Sequence, residues 1–143
     1  MYRGIEILIT ELKNNSDIYA YVQDRIYHQD IATIGDPQFP CIIIGIDDDE
    51  RIEPKIHKAI LSITIYSKLN YEECEKILDL LVGQDAHTTL PILHKRRYTN
   101  INNNYTAYFQ FSRGGARVAE QLDEDGTNIV YSLSSEWLMF GGH

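Results

Sequence analysis

The sequence predicts a single α+β domain with a mainly antiparallel or mixed sheet. The length of 143 residues fits one domain. Two segments carry apolar residues at helical spacing, and several others alternate apolar with polar residues or are rich in β-branched side chains. No apolar run approaches the roughly 20 residues that cross a bilayer, and the first nine residues lack the layout of a signal peptide. We therefore expect a soluble chain made in a cytoplasm.

The chain opens with the pattern of an amphipathic helix. Apolar residues recur at positions i, i+3, i+4 and i+7, namely Ile5, Leu8, Ile9 and Leu12. Asn14 and Asn15 would end this helix, and Ser16 and Asp17 are predicted to cap a second, shorter helical segment through Val22. Residues 25–27, Arg-Ile-Tyr, have the pattern of a brief strand.

A central strand and a second strand are predicted next. Residues 41–46 form an apolar, strongly β-branched run that suits the middle of a sheet. Four adjacent carboxylates cannot be packed without paired cations, so Asp47, Asp48, Asp49 and Glu50 are predicted to end that strand and to begin a loop to about Pro54. In residues 60–67 apolar side chains alternate with polar ones, which predicts a strand with one buried face.

The second helix is predicted at about residues 70–83. Asn70 and Glu73 form a variant of the capping box. Apolar residues then follow at helical spacing, at Cys74, Ile77, Leu78 and Leu81, and Gly83 can terminate the helix.

The rest of the chain is predicted to be mostly extended. Residues 90–93 and 98–101 suggest short strands, and alternation over residues 105–111 predicts a longer one. Residues 112–126 are interpreted as an excursion in which residues 116–122 could make a helical turn. Two extended pieces are expected in residues 129–140, on either side of Ser134, Ser135 and Glu136, forming a C-terminal extended arm or hairpin. Residues 1–112 would then be the core, and residues 113–143 the excursion and arm of the same domain.

Motifs that would indicate catalysis are absent from the sequence. There is no phosphate-binding glycine loop, CxxC pair, HExxH helix or GxSxG turn, and the five histidines lack a metal-binding spacing. Asp85 and His87 have no nucleophile beside them. The cysteines, Cys41 and Cys74, lie in apolar stretches where buried free thiols are ordinary. We expect no catalytic residue, no bound metal and no cofactor.

The charge distribution argues against a dedicated nucleic-acid binder. The formal net charge is −8, whereas binding to phosphates draws its affinity from a basic surface. A single basic cluster, residues 94–97 (His-Lys-Arg-Arg), is interpreted as a solvated edge that discourages strand pairing.

The acidic run at residues 47–50 admits more than one interpretation. It could be a solvated hairpin tip or a surface that repels a polyanion. Its spacing does not fit a calcium loop. A small metal-dependent hydrolase would use Asp47, Asp48 and Asp49, with His28 or His57 as a further ligand; this alternative stays open at the level of the sequence.

The order of these segments resembles the tail completion or tail terminator proteins of long-tailed bacteriophages. The resemblance is carried by the opening helix, the segment with Val22, the Arg-Ile-Tyr strand at residues 25–27, and Phe39-Pro40-Cys41-Ile42-Ile43 entering a central strand. Residues 60–67, 70–82 and 105–111 occupy the positions of the family's next strand, helix and final strand. The resemblance covers roughly residues 4–112. Cys41 stands where an aromatic residue is commoner in the family, and residues 114–140 extend beyond the family core.

The resemblance implies a ring, usually of six subunits, that ends the tail tube and joins it to the head. The implied partners are further copies of this chain, the tail tube protein and the head-completion or neck connector protein, with DNA passing through the lumen and no membrane. The location would be the virion tail or neck, after assembly in the bacterial host cytoplasm. Another neck, head-closure or tube subunit is the nearest alternative, and a soluble adaptor domain is a further one.

Two sets of residues are expected to serve such a ring. Acidic side chains would face the lumen, where negative charge keeps DNA from sticking, at Asp47, Asp48, Asp49 and Glu50. Large apolar side chains near the C-terminus are costly to leave exposed. We expect these to contact a neighbouring subunit or ring, at Tyr131, Trp137, Leu138, Met139 and Phe140.

Overall fold

The computed structural model describes residues 2–28, 37–83, 91–121 and 128–142, and these form one α+β domain, as predicted. The described residues contain three helices, α1 (Tyr2–Asn14), α2 (Ser16–Val22) and α3 (Tyr71–Val82). They also contain six strands: β1 (Ile26–Tyr27), β2 (Cys41–Glu53), β3 (Ile56–Ser67), β4 (Arg96–Asn100), β5 (Tyr105–Gln121) and β6 (Ile129–Gly142).

The strands form one mixed sheet in the order β1-β2-β3-β6-β5-β4. β1 runs parallel to β2, and every other neighbouring pair is antiparallel. The last strand of the chain therefore lies in the middle of the sheet, between β3 and β5. Beyond the short β1 pairing, β2 forms one edge of the sheet and β4 the other.

The core lies between the three helices and one face of the sheet. The apolar stripes of the helices meet alternate residues of the strands in one buried cluster, which includes Leu8, Leu12, Ile18, Ile77, Leu61, Ile63, Trp137 and Met139. Burial alternates along β3 and β6, as expected for strands with one covered face. At about 25 cal/mol per Å² of buried apolar area, this cluster is the main source of stability.

The first helix follows the predicted stripe, but the second is capped by a different residue. Ile5, Leu8 and Leu12 of α1 are buried. The N-cap of α2 is Asn15, not Ser16 or Asp17, because the extended backbone of Asn15 lets its side-chain oxygen accept hydrogen bonds from the backbone N–H groups of residues 17 and 18, at 3.0 and 3.1 Å. Among the described residues, no helix has both the length and the apolar character needed to cross a membrane.

The predicted helix at residues 70–83 is present as α3. The Asn70 side chain accepts a hydrogen bond from the backbone N–H of Glu73 at 2.9 Å, which is one half of the expected capping box. The carboxylate of Glu73 accepts a hydrogen bond from the hydroxyl of Ser67 at 2.8 Å, which ties the helix start to the end of β3. Gly83 follows the helix at φ 88°, and its N–H donates to Asp79.

Several predicted strand limits are wrong. β2 continues through the acidic run to Glu53, and β3 begins at Ile56 instead of residue 60. β5 is one strand through residue 112 to Gln121, with shifts of register after Phe111 and Gly114, so residues 116–121 are strand and not a helical turn. Residues 91–93 are not a strand. Where β2, β3 and β5 are longer than predicted, the added residues belong to the sheet through their backbone while their side chains reach water. The pattern of apolar and polar side chains does not reveal such exposed strand residues.

The C-terminal segment is one continuous strand, not two pieces of an arm. β6 forms a long hairpin with β5 and pairs over residues 131–142 with β3. Residues 134–136 do not interrupt it, because Ser135 points into the core, where its hydroxyl donates to the carbonyl of Ile63 at 3.0 Å. The predicted Asp85 and His87 pair, Leu90 and residues 122–127 lie outside the described residues.

Candidate functional site

The acidic run lies on an exposed edge strand, and we call residues 47–53 of β2 the acidic edge. Every residue of this segment is exposed. Asp48 and Glu50 pair with Ile60 and Lys58 on the sheet face away from the helices, whereas Asp49 pairs with Ala59 on the helix-covered face. Asp47 lies at a shift of register between Ile46 and Asp48.

Most of the carboxylates of the acidic run form no ion pair in the described part of the chain, although Lys58 lies opposite Glu50 on β3 and Arg51 follows it. Asp49 Oδ1 lies 3.7 Å from His57 Nδ1. No ion pair is found there for Asp47, Asp48 or Glu50. With five carboxylates and one cation, Arg51, the acidic edge is a net negative surface, able to repel a polyanion or to attract a basic partner.

The geometry of the acidic edge does not support the metal-dependent hydrolase. Successive residues of a strand point to opposite faces, so Asp48 and Asp49 cannot be directed at one ion. His57 contacts Asp49 and no second carboxylate in the same region. Within residues 2–28, 37–83, 91–121 and 128–142, no group of three or more His, Cys, Asp or Glu side chains is placed to hold a metal ion.

Two of the large C-terminal side chains belong to the core, which corrects the sequence argument that they need a partner to cover them. Trp137 and Met139 are completely buried. The indole N–H of Trp137 donates to the hydroxyl of Ser135 at 2.9 Å, and the Phe111 ring lies edge-on at 5.3 Å. The strand thus buries Trp137 and Met139 against the helices of its own chain.

The other three C-terminal residues are half-buried. The Tyr131 ring packs edge-on against Tyr71 of α3, with the ring centroids 4.9 Å apart. Leu138 and Phe140 lie on the face away from the helices, where Phe140 lies beside Tyr108 with ring centroids 6.4 Å apart. Leu138 and Phe140 are consequently the members of the predicted set whose position suits contact with another subunit.

The basic cluster flanks the opposite edge of the sheet. Lys95, Arg96 and Arg97 are exposed, and we call these three residues the basic edge. The fourth residue, His94, is half-buried and bonds within the fold, where its Nδ1 accepts a hydrogen bond from the backbone N–H of Phe111 at 2.9 Å. Burial, and then the charge of Lys95, lower the pKa of His94. The sequence shows the charges of this cluster but not its position relative to the acidic edge, because that depends on strand order.

Comparisons with known proteins give a likeness of fold. No family model matches the sequence, and no curated protein sequence is significantly similar to it. A solved chain from the virion of a native gene transfer agent particle is similar in structure, with a TM-score of 0.50 and 12% sequence identity. The match covers 100% of both chains. At this identity, the likeness concerns the fold along the whole length of the chain.

Proposed function

We propose that this chain is a structural protein of a phage-like virion and forms a ring at the end of the tail tube. The observation that carries the proposal is the full-length likeness of fold to a chain of a gene transfer agent virion. The segment order that resembles tail terminators supports the same class of protein. The ring, with six subunits in the family, would end the tube and join it to the neck connector below the head.

Electrostatics supports a role in which DNA passes the ring without binding to it. The chain has a net charge of −8, and the carboxylates of Asp47, Asp48 and Glu50 have no ion pair among the described residues. Phosphates are repelled by such a surface within roughly one Debye length, about 8 Å at physiological salt. We assign residues 47–50 to the lumen on this ground.

The first test is the mass of the purified chain in solution. Light scattering at several concentrations, followed by electron microscopy, should show rings; six subunits of 16.5 kDa would give a mass of about 99 kDa. The same sample should be mixed with tubes of the tail tube protein from the same virus. We expect density at tube ends and an arrest of tube growth.

The tube experiment also separates a terminator from the alternative subunits of the same region. A tube-forming subunit would extend the tubes, and a head-closure protein would leave tube ends bare. A chain that stays monomeric at every concentration and leaves the tubes unchanged would contradict the proposal.

A further inference from the structure

The two edges of the sheet carry opposite charges at the same height. Residues that lie opposite each other in the register can be followed from strand to strand across the sheet, from β2 through β3, β6 and β5 to β4. The row that begins at Asp49 ends at Arg96, and passes through Ala59, Met139 and Phe109. The next row begins at Glu50 and ends at Arg97, and passes through Lys58, Phe140 and Tyr108. An acidic residue on one edge thus lies level with an arginine on the other, twice in succession.

Both edges lack a neighbouring strand at this height in the described part of the chain. β1 pairs with Ile42 and Ile43 only, so residues 48–53 of β2 have β3 on one side. β4 pairs with β5 alone. Arg96 and Arg97 are exposed, and no ion pair is found for either in the same described region. An open strand edge is a template for pairing with another chain.

Charge selects which edges can meet. Two acidic edges repel each other, as do two basic edges, whereas an acidic edge attracts a basic one. A contact between two different edges of identical chains is head-to-tail, and head-to-tail contacts close into rings when the rotation permits. The charge pattern therefore favours a cyclic assembly over a symmetric dimer.

We propose that the ring closes by contact between the acidic edge of one copy and the basic edge of the next. This inference rests on the proposed function and names the surface that would build it. Four antiparallel steps separate β2 from β4, so the two edge strands run in the same direction and would meet in parallel. Sheet twist of about 20–25° per strand turns the two edge strands of a chain away from a common direction. We therefore assign the contact to side chains and not to backbone pairing, with Glu50 facing the Arg97 of the next copy.

This contact between copies, which we call the seam, uses Asp49 and Glu50, so it narrows the lumen assignment from residues 47–50 to Asp47 and Asp48. The row of Asp48 passes through Ile60, Leu138 and Gln110, and β4 begins one row later, at Arg96. Asp47 and Asp48 therefore lie before the first row of β4, where Lys95 is the one residue of the basic edge that extends toward them. The acidic edge also holds more charges than the basic edge can neutralise, so a seam keeps a negative surface.

Cross-linking tests the seam directly. In a Glu50→Cys, Arg97→Cys double variant, a bismaleimide cross-linker that spans the length of the two replaced side chains should link successive subunits into a ladder of covalent oligomers up to a closed ring. The native Cys41 and Cys74 are buried and do not interfere. The Glu72→Cys, Arg97→Cys variant is the matched control. It adds the same number of thiols, but Glu72 lies on the exposed side of α3, away from the acidic edge. The control should give no ladder.

Charge exchange provides the second measurement. Glu50→Arg alone and Arg97→Glu alone should each weaken subunit association by about tenfold or more, since each places like charges together. The double exchange should restore association. Absence of the ladder, or a double variant no better than the single ones, would overturn the seam. If rings still form and cap tubes in that case, the proposed function stands without this seam; if the ladder forms but the rings ignore tubes, the seam stands and the proposed function fails.

Discussion

At the scale of single residues, the two thiols are inert because they are buried. Burial is the main cause that raises the pKa of Cys41 to about 12 and that of Cys74 to about 11. The reactive thiolate is therefore almost absent at neutral pH. We expect the folded chain to resist a maleimide reagent at pH 7.5, and both thiols to react in denaturant. Mass spectrometry gives the number of labels, and rapid double labelling of the folded chain would contradict the burial.

His94 makes the stability of the fold depend on pH. Its Nδ1 accepts a hydrogen bond from Phe111, and a protonated imidazole cannot accept one. Burial, and next Lys95, lower its pKa from the usual 6.5. The unfolded chain then binds the proton at a higher pH than the folded chain does, so the contribution to stability is complete above about pH 6.5 and declines as the pH falls below it.

The same residue offers a matched variant. His94→Asn keeps an acceptor atom and cannot titrate in this range, so its unfolding free energy should fall less between pH 7.5 and pH 5 than that of the wild type. Urea unfolding at both pH values measures the difference, and NMR titration measures the pKa. A His94 that titrates at or above 6.5 would refute this account.

At the scale of elements, the start of α3 depends on one side chain. Asn70 satisfies the backbone N–H of Glu73, which has no partner within the helix. Asn70→Ala should lower the free energy of unfolding by about 1 kcal/mol, and Asn70→Asp should largely retain it. Urea unfolding gives both values. Equal stability of all three chains would show that the cap does not hold this helix.

The sequence predicts the helices better than it predicts the extent and order of the strands. Apolar spacing identified α1 and α3 because a helix buries one stripe of its own local sequence. The acidic run was predicted to end β2, since four carboxylates cannot be packed, but an edge strand leaves its side chains in water. The central place of β6 depends on pairing with β3, more than 60 residues away. The acidic run and the basic cluster were visible in the sequence, whereas their common rows follow from the register of three intervening strands.

At the scale of the whole molecule, helices cover one face of the sheet and the charges lie at its edges. Trp137 and Met139 are buried within their own chain, so among the predicted contact residues Leu138 and Phe140 on the open face stay accessible to another copy, together with the two charged edges. Copies joined edge to edge would place their open faces on the same side. Such an arrangement would make the open faces one continuous inner wall of the ring, and the charge of that wall would come from the acidic and basic edges where copies meet.

The lumen assignment predicts how DNA responds to that wall. Asp47→Lys with Asp48→Lys reverses two charges that lie before the first row of β4, so rings should still form but should bind DNA, which wild-type rings should not. Gel-shift measurement with double-stranded DNA at two salt concentrations shows the difference, and added salt should weaken the new binding. The control is Glu6→Lys with Glu72→Lys, which makes the same change of charge on exposed helix residues. If both double variants bind DNA equally, net charge and not position is responsible, and residues 47 and 48 do not line the lumen.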